Sequence, residues 1–109
     1  IDKNNRFWVI NYFFPGDRKV LKPSNDILAS KYGSGPSHSK SKRVERLIEY
    51  EIKNGKVSLT KSAPIEIELE GEKTSRKWEA LVRYGNEGFL IATDKYPKPH
   101  TLLAFLPNK

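Results

Sequence analysis

The stretch Trp78-Glu79-Ala80-Leu81-Val82-Arg83-Tyr84-Gly85-Asn86-Glu87-Gly88-Phe89-Leu90-Ile91-Ala92-Thr93-Asp94 decides the fold. Glu79 to Tyr84 has the composition of a short strand, and Phe89 to Thr93 that of a second one. Between them, Gly85-Asn86-Glu87-Gly88 reads as a turn, since glycine supplies the positive φ that a tight hairpin requires. The run Phe89-Leu90-Ile91-Ala92 is apolar at every position, without the in/out alternation of a half-buried strand. It therefore predicts a strand covered on both faces, with layers of sheet above and below.

A second stretch resembles the first. Moved by 82 positions, Arg6-Phe7-Trp8-Val9-Ile10-Asn11-Tyr12-Phe13-Phe14-Pro15 falls on Gly88-Phe89-Leu90-Ile91-Ala92-Thr93-Asp94-Lys95-Tyr96-Pro97. Aromatic meets aromatic at Phe7/Phe89 and Phe14/Tyr96, and proline meets proline. A turn precedes each copy, Asp2-Lys3-Asn4-Asn5 and Gly85-Asn86-Glu87-Gly88. The match predicts a repeated supersecondary unit that buries its faces against its neighbours.

The remaining segments extend an all-β reading. Val44 to Ile52 fits both strand and helix periods, and its β-branched and aromatic content with the following Lys53-Asn54-Gly55-Lys56 turn favours a strand. Val57-Ser58-Leu59-Thr60 is its hairpin partner. Ile65-Glu66-Ile67-Glu68-Leu69-Glu70 alternates cleanly, with its glutamates expected in solvent. A last strand, Leu102 to Leu106, stops at Pro107. Residues 15 to 42 are a polar insertion in which Ser24-Asn25-Asp26 can cap one helical turn over Ile27-Leu28-Ala29. The expected strands are Phe7–Phe14, Val44–Ile52, Ile65–Leu69, Leu81–Tyr84, Phe89–Thr93 and Leu102–Leu106. The expected core is Trp8, Ile10, Leu81, Phe89, Ile91, Leu103 and Phe105.

Composition excludes several classes. With no cysteine among 109 residues, there is neither a disulfide framework nor a zinc–thiolate site. No apolar run approaches the ~18 residues of a membrane span. The net charge is +7, and between Asp17 and Arg46 eight basic residues face three acidic ones. No nucleic-acid-binding signature accompanies that cluster, so it reads as a solvated loop and a nucleic-acid partner is not expected. Gly33-Ser34-Gly35 is not a nucleophile elbow. His38 and His100 stand 62 positions apart, without metal-ligand spacing. A self-contained catalytic site is not expected.

The turn–strand element Ile1-Asp2-x-x-x-Arg6-Phe7-Trp8-Val9, and the Trp78-Glu79-x-Leu81 strand followed by Gly88-Phe89-Leu90-x-x-Thr93-Asp94-Lys95, resemble blades of a bacterial β-propeller family. That family comprises the SdiA-regulated proteins and the esterase-like domains associated with phytases. Its pattern is a Glu-Gly-(Leu/Ile) inner strand and a next strand ending in Asp; the middle position here is Ala80. A ring needs at least about four blades of ~40–45 residues, and this chain supplies two or so. The expectation is therefore a single all-β unit of antiparallel sheets over residues 1–109, about two blades of a larger propeller. The opening at Ile1-Asp2, without Met, agrees with a fragment. Its partners would be the remainder of the same polypeptide or a second copy. A small β-sandwich or half-barrel is the alternative.

The resemblance also implies a site. Glu79, Asp94, Asn11, Trp78 and His38 would gather at the channel mouth to hold a small molecule or a Ca²⁺ ion, with Glu79 as a metal ligand. The alternative roles are packing between blades for Trp78, pairing with Arg76 or Arg83 for Glu79, and turn capping for Asp94. At the level of function the resemblance implies a binding or scaffold module that is secreted, periplasmic or on the cell surface. Its alternatives are a hydrolase of the esterase or lactonase kind and a basic adaptor for an anionic polymer.

Overall fold

The computed structural model describes residues 1–12, 25–32, 44–67, 77–94 and 100–108. Among the described residues, seven strands and one short helix follow in the order β1 (Arg6–Tyr12), α1 (Ile27–Tyr32), β2 (Glu45–Lys53), β3 (Lys56–Leu59), β4 (Ile65–Glu66), β5 (Trp78–Tyr84), β6 (Gly88–Thr93) and β7 (Leu103–Pro107). All pairings are antiparallel. The protein is all-β.

Strand β2 is the centre of the first sheet. Strand β1 lies along one edge with Trp8 opposite Glu49 and Ile10 opposite Leu47. Strands β3 and β4 share the other edge, β3 beside residues 50–53 and β4 beside residues 46–47. The β2–β3 turn is Asn54-Gly55, both at positive φ (51° and 73°), the pair favoured by a two-residue hairpin. The second sheet is a meander with β6 between β5 and β7.

The core lies between the two sheets. Leu47 and Ile67 from the first sheet region meet Trp78, Phe89 and Ile91 from the second, and Trp8, Ile10, Ile65, Leu81 and Leu106 pack around them. The Trp8 and Phe89 rings meet edge to face, 5.3 Å apart. Such a contact joins an edge strand of one sheet to the central strand of the other.

The outer face of the first sheet is partly covered. Arg46 points there, buried, with its guanidinium 2.9 Å from the Asp26 carboxylate and its Nε donating to Asn11 Oδ1 at 2.9 Å. A buried guanidinium requires such partners, because desolvating it alone costs several kcal/mol. Asp26 also accepts the Leu28 and Ala29 amides, so one carboxylate caps α1 and ties it to β2. The cap forms where the Ser24-Asn25-Asp26 reading places it. Further along this face, Phe7 stacks on Tyr50 at 5.8 Å.

The outer face of the second sheet has no such cover among the described residues. Alternation about β6 puts Val82, Tyr84, Leu90, Ala92, Leu103 and Phe105 on that face. Val82, Tyr84, Leu103 and Phe105 are 57, 54, 70 and 47% exposed. This corrects two expectations. Leu103 and Phe105 are not core residues, and among the described residues the run Phe89–Ala92 is covered on one face, by the first sheet. The reason is parity: Leu102 to Leu106 is apolar throughout, so its sequence does not say which alternate set faces in. Here Leu102, Ala104 and Leu106 do. Trp8, Ile10 and Leu81 are partly rather than fully buried, at the rim of the core.

Parity also separates the two repeat-like stretches. Phe89 is a core residue of a central strand, whereas Phe7, its counterpart, points to the outer face of a strand with one partner among the described residues. In β1 the core takes Trp8, Ile10 and Tyr12 instead. Strand β4 covers Ile65–Glu66 of the expected Ile65–Leu69, and Glu66 is half-buried rather than in solvent. Positions 68–69, 13–14 and most of the polar insertion lie outside the described residues.

Two substitutions test this arrangement. Phe89→Ala should cost about 3–5 kcal/mol in chemical denaturation, while Phe105→Ala should cost below about 1 kcal/mol in the monomer. Equal costs would place β7 the other way round. At Gly88 (φ 158°) a Cβ would collide with the Leu106 carbonyl oxygen and stand 2.9 Å from Pro107 Cα. Gly88→Ala should therefore cost about 1–3 kcal/mol by overpacking between β6 and β7.

Candidate functional site

The residues singled out in the sequence divide into three places. Glu79 and Asp94 come together on the surface around Lys77. The Lys77 ammonium is 3.8 Å from Glu79 Oε1 and 3.5 Å from Asp94 Oδ2, and the Asp94 amide donates to the Lys77 carbonyl at 2.8 Å. Glu79 thus pairs with Lys77 and not with Arg83; Arg76 lies outside the described residues. All three side chains are 39–52% exposed, so the cluster contributes little energy. A cation already stands between the two carboxylates.

Trp78 is elsewhere. Its ring is buried in the core and its Nε1–H donates to Glu45 Oε2 across the sandwich, at 3.3 Å. Asn11 is on the outer face of the first sheet, accepting from Arg46. His38 lies outside the described residues. Among the described residues no three of His, Asp, Glu and Cys are grouped to hold a metal ion.

A different site appears where the two sheets end. On β1 the inward row runs Tyr12, Ile10, Trp8 and finishes in Arg6; on β5, Leu81 is followed on the same side by Arg83. Both arginines line a groove of about 500 Å³, with Trp8 and Phe89 in its wall and the Asp2 and Glu49 carboxylates on its margin. That volume lies within the range of small-ligand pockets. The Arg83 guanidinium stacks over Phe89, 4.4 Å from the ring centroid, and its Nε donates to the Gly85 carbonyl at 3.0 Å. The legible signal for this site was one of spacing: an arginine at the end of each core-facing row.

The N-terminal turn is built on Asp2. Its Oδ1 accepts the Asn4 amide at 2.7 Å and the Arg6 amide at 3.0 Å, while its own amide donates to the Arg6 carbonyl at 2.8 Å. Asn5 takes the positive φ of 58° that closes the turn, and its carbonyl accepts the Ile52 amide. The turn therefore fixes the start of β1, and with it Arg6.

No family profile, curated protein or solved structure matches the chain.

Acid provides a test of this wall. The Arg6 amide, and after it the Asn4 amide, hold the Asp2 carboxyl below its ordinary value of 3.8, against the opposing pull of desolvation. A depressed folded-state pKa stabilises above the unfolded value and is lost as pH falls through the folded one. The Asn4 and Arg6 amide resonances should therefore titrate together, with a midpoint below 3.8. A midpoint at or above that value would contradict the turn.

Proposed function

We propose that the chain is a scaffold and binding module of the propeller-blade kind, whose second sheet docks its outer face on another apolar sheet. The observation that carries this reading is the open face of β5–β6–β7, apolar at Ala80, Val82, Tyr84, Leu90, Ala92, Leu103 and Phe105. Face-to-face stacking of antiparallel meanders is also how blades succeed one another in a propeller. The β5–β6–β7 meander has that form, and its inner face already packs on a sheet in this way. The reading does not rest on Glu79 and Asp94, whose exposed carboxylates share the Lys77 ammonium.

Magnitudes set the strength of the docking. Covering four half-exposed large apolar side chains contributes about 3–6 kcal/mol per face, at about 1.5–3 kcal/mol for each full burial. Two copies face to face would contribute about 6–12 kcal/mol, against an association cost of about 4–15 kcal/mol. Two separate chains should thus associate weakly. A sheet held alongside in one polypeptide avoids most of that cost and docks firmly.

For the chain alone, a second copy is the occupant. Sedimentation velocity over a concentration series should show reversible self-association of the wild type. Leu103→Glu with Phe105→Lys, both at exposed positions, should abolish it without loss of the β-sheet circular dichroism signal. A concentration-independent monomer, or a double variant that associates as the wild type does, would overturn the reading.

A further inference from the structure

The groove between the sheet ends holds two acids and two bases, and their bonding differs. The acids are occupied. Asp2 Oδ1 accepts two backbone amides, and Glu49 Oε1 accepts the Thr60 and Ser62 hydroxyls, each at 2.8 Å. The bases are available. Neither Arg6 nor Arg83 makes an ion pair among the described residues, and Arg83 commits its Nε alone, to a carbonyl.

A guanidinium with free terminal nitrogens presents a fork that matches a carboxylate or another planar oxyanion. Stacking on Phe89 fixes the plane of the Arg83 fork, which lowers the entropy lost on binding. The β1 turn fixes the origin of Arg6 in the same way. Trp8, half-buried beside them, supplies an apolar wall. The four ionisable side chains of the groove sum to zero, but the carboxylates are held by amides and hydroxyls, so an incoming monoanion meets the two guanidiniums, while a second negative charge would be repelled by Asp2 and Glu49.

We propose that this groove binds a small monoanionic carboxylate with an aromatic or branched apolar body. The carboxylate lies between Arg6 and Arg83, and the body lies against Trp8. The site is independent of the docking face, which is on the opposite side of the second sheet.

Phenylacetate is the probe, with benzylamine and inorganic phosphate as its cationic and doubly charged counterparts. In an ¹⁵N-labelled chain, phenylacetate should shift the Trp8 indole N–H saturably and leave that of buried Trp78 nearly unmoved. Benzylamine and phosphate should shift neither. Arg6→Gln and Arg83→Gln remove exposed side chains, and each should weaken phenylacetate binding about tenfold, the loss of one charge-assisted contact. An unshifted Trp8, an equal response to benzylamine or phosphate, or unchanged binding in both folded variants would overturn the assignment.

Discussion

A strand that is apolar on both faces cannot be satisfied by one neighbouring layer, and β6 is such a strand. Its inner set, Phe89 and Ile91, is sealed by Leu47, Ile67 and Trp8 of the opposing sheet region. Its outer set, Leu90 and Ala92, lies between the equally apolar Val82 of β5 and Leu103 and Phe105 of β7. The two sides of one hairpin sequence thus set both the core of the molecule and, among the described residues, an open apolar face. Few monomeric proteins keep a contiguous apolar face of this kind uncovered.

The first sheet solves the same problem differently. Its central strand carries Glu45, Arg46 and Glu49 among apolar residues, and each is buried with a partner. Glu45 receives the Trp78 indole, Arg46 meets Asp26 and Asn11, and Glu49 meets Thr60 and Ser62. These contacts are directional, so they fix how β2 is placed against β5, α1 and the segment after β3. Removing Asp26 would leave the Arg46 charge in a site almost closed to water, which is costlier than the pair is favourable. On β2 these polar contacts fall on both faces, Glu45 and Glu49 toward the second sheet and Arg46 away from it.

The sequence makes the strands legible because strands write period two, and turns write Asn-Gly and Gly-x-x-Gly, in a form that local chemistry enforces. The Asn54-Gly55 hairpin and the Asp26 cap are read directly. Runs without alternation carry no parity. Leu102 to Leu106 gives no sign that Leu103 and Phe105 face outward, and the likeness of Phe7 to Phe89 conceals opposite orientations. The site was less legible still. Glu79 and Asp94 stand on either side of Lys77, and Trp78 turns into the core. Arg6 and Arg83 become a pair only when the sheets are known to face each other, a long-range relation that neither strand encodes alone.

The central claim is that the outer face of β5–β6–β7 is made to be covered, and side-chain exposure tests it most directly. A soluble paramagnetic agent broadens the methyl resonances it can approach. In dilute solution it should broaden those of Val82, Leu103 and, in the same range, Val57, which is 60% exposed on the other sheet. As the chain is concentrated, Val82 and Leu103 should become protected while Val57 stays accessible. Equal broadening of all three at every concentration would contradict the account.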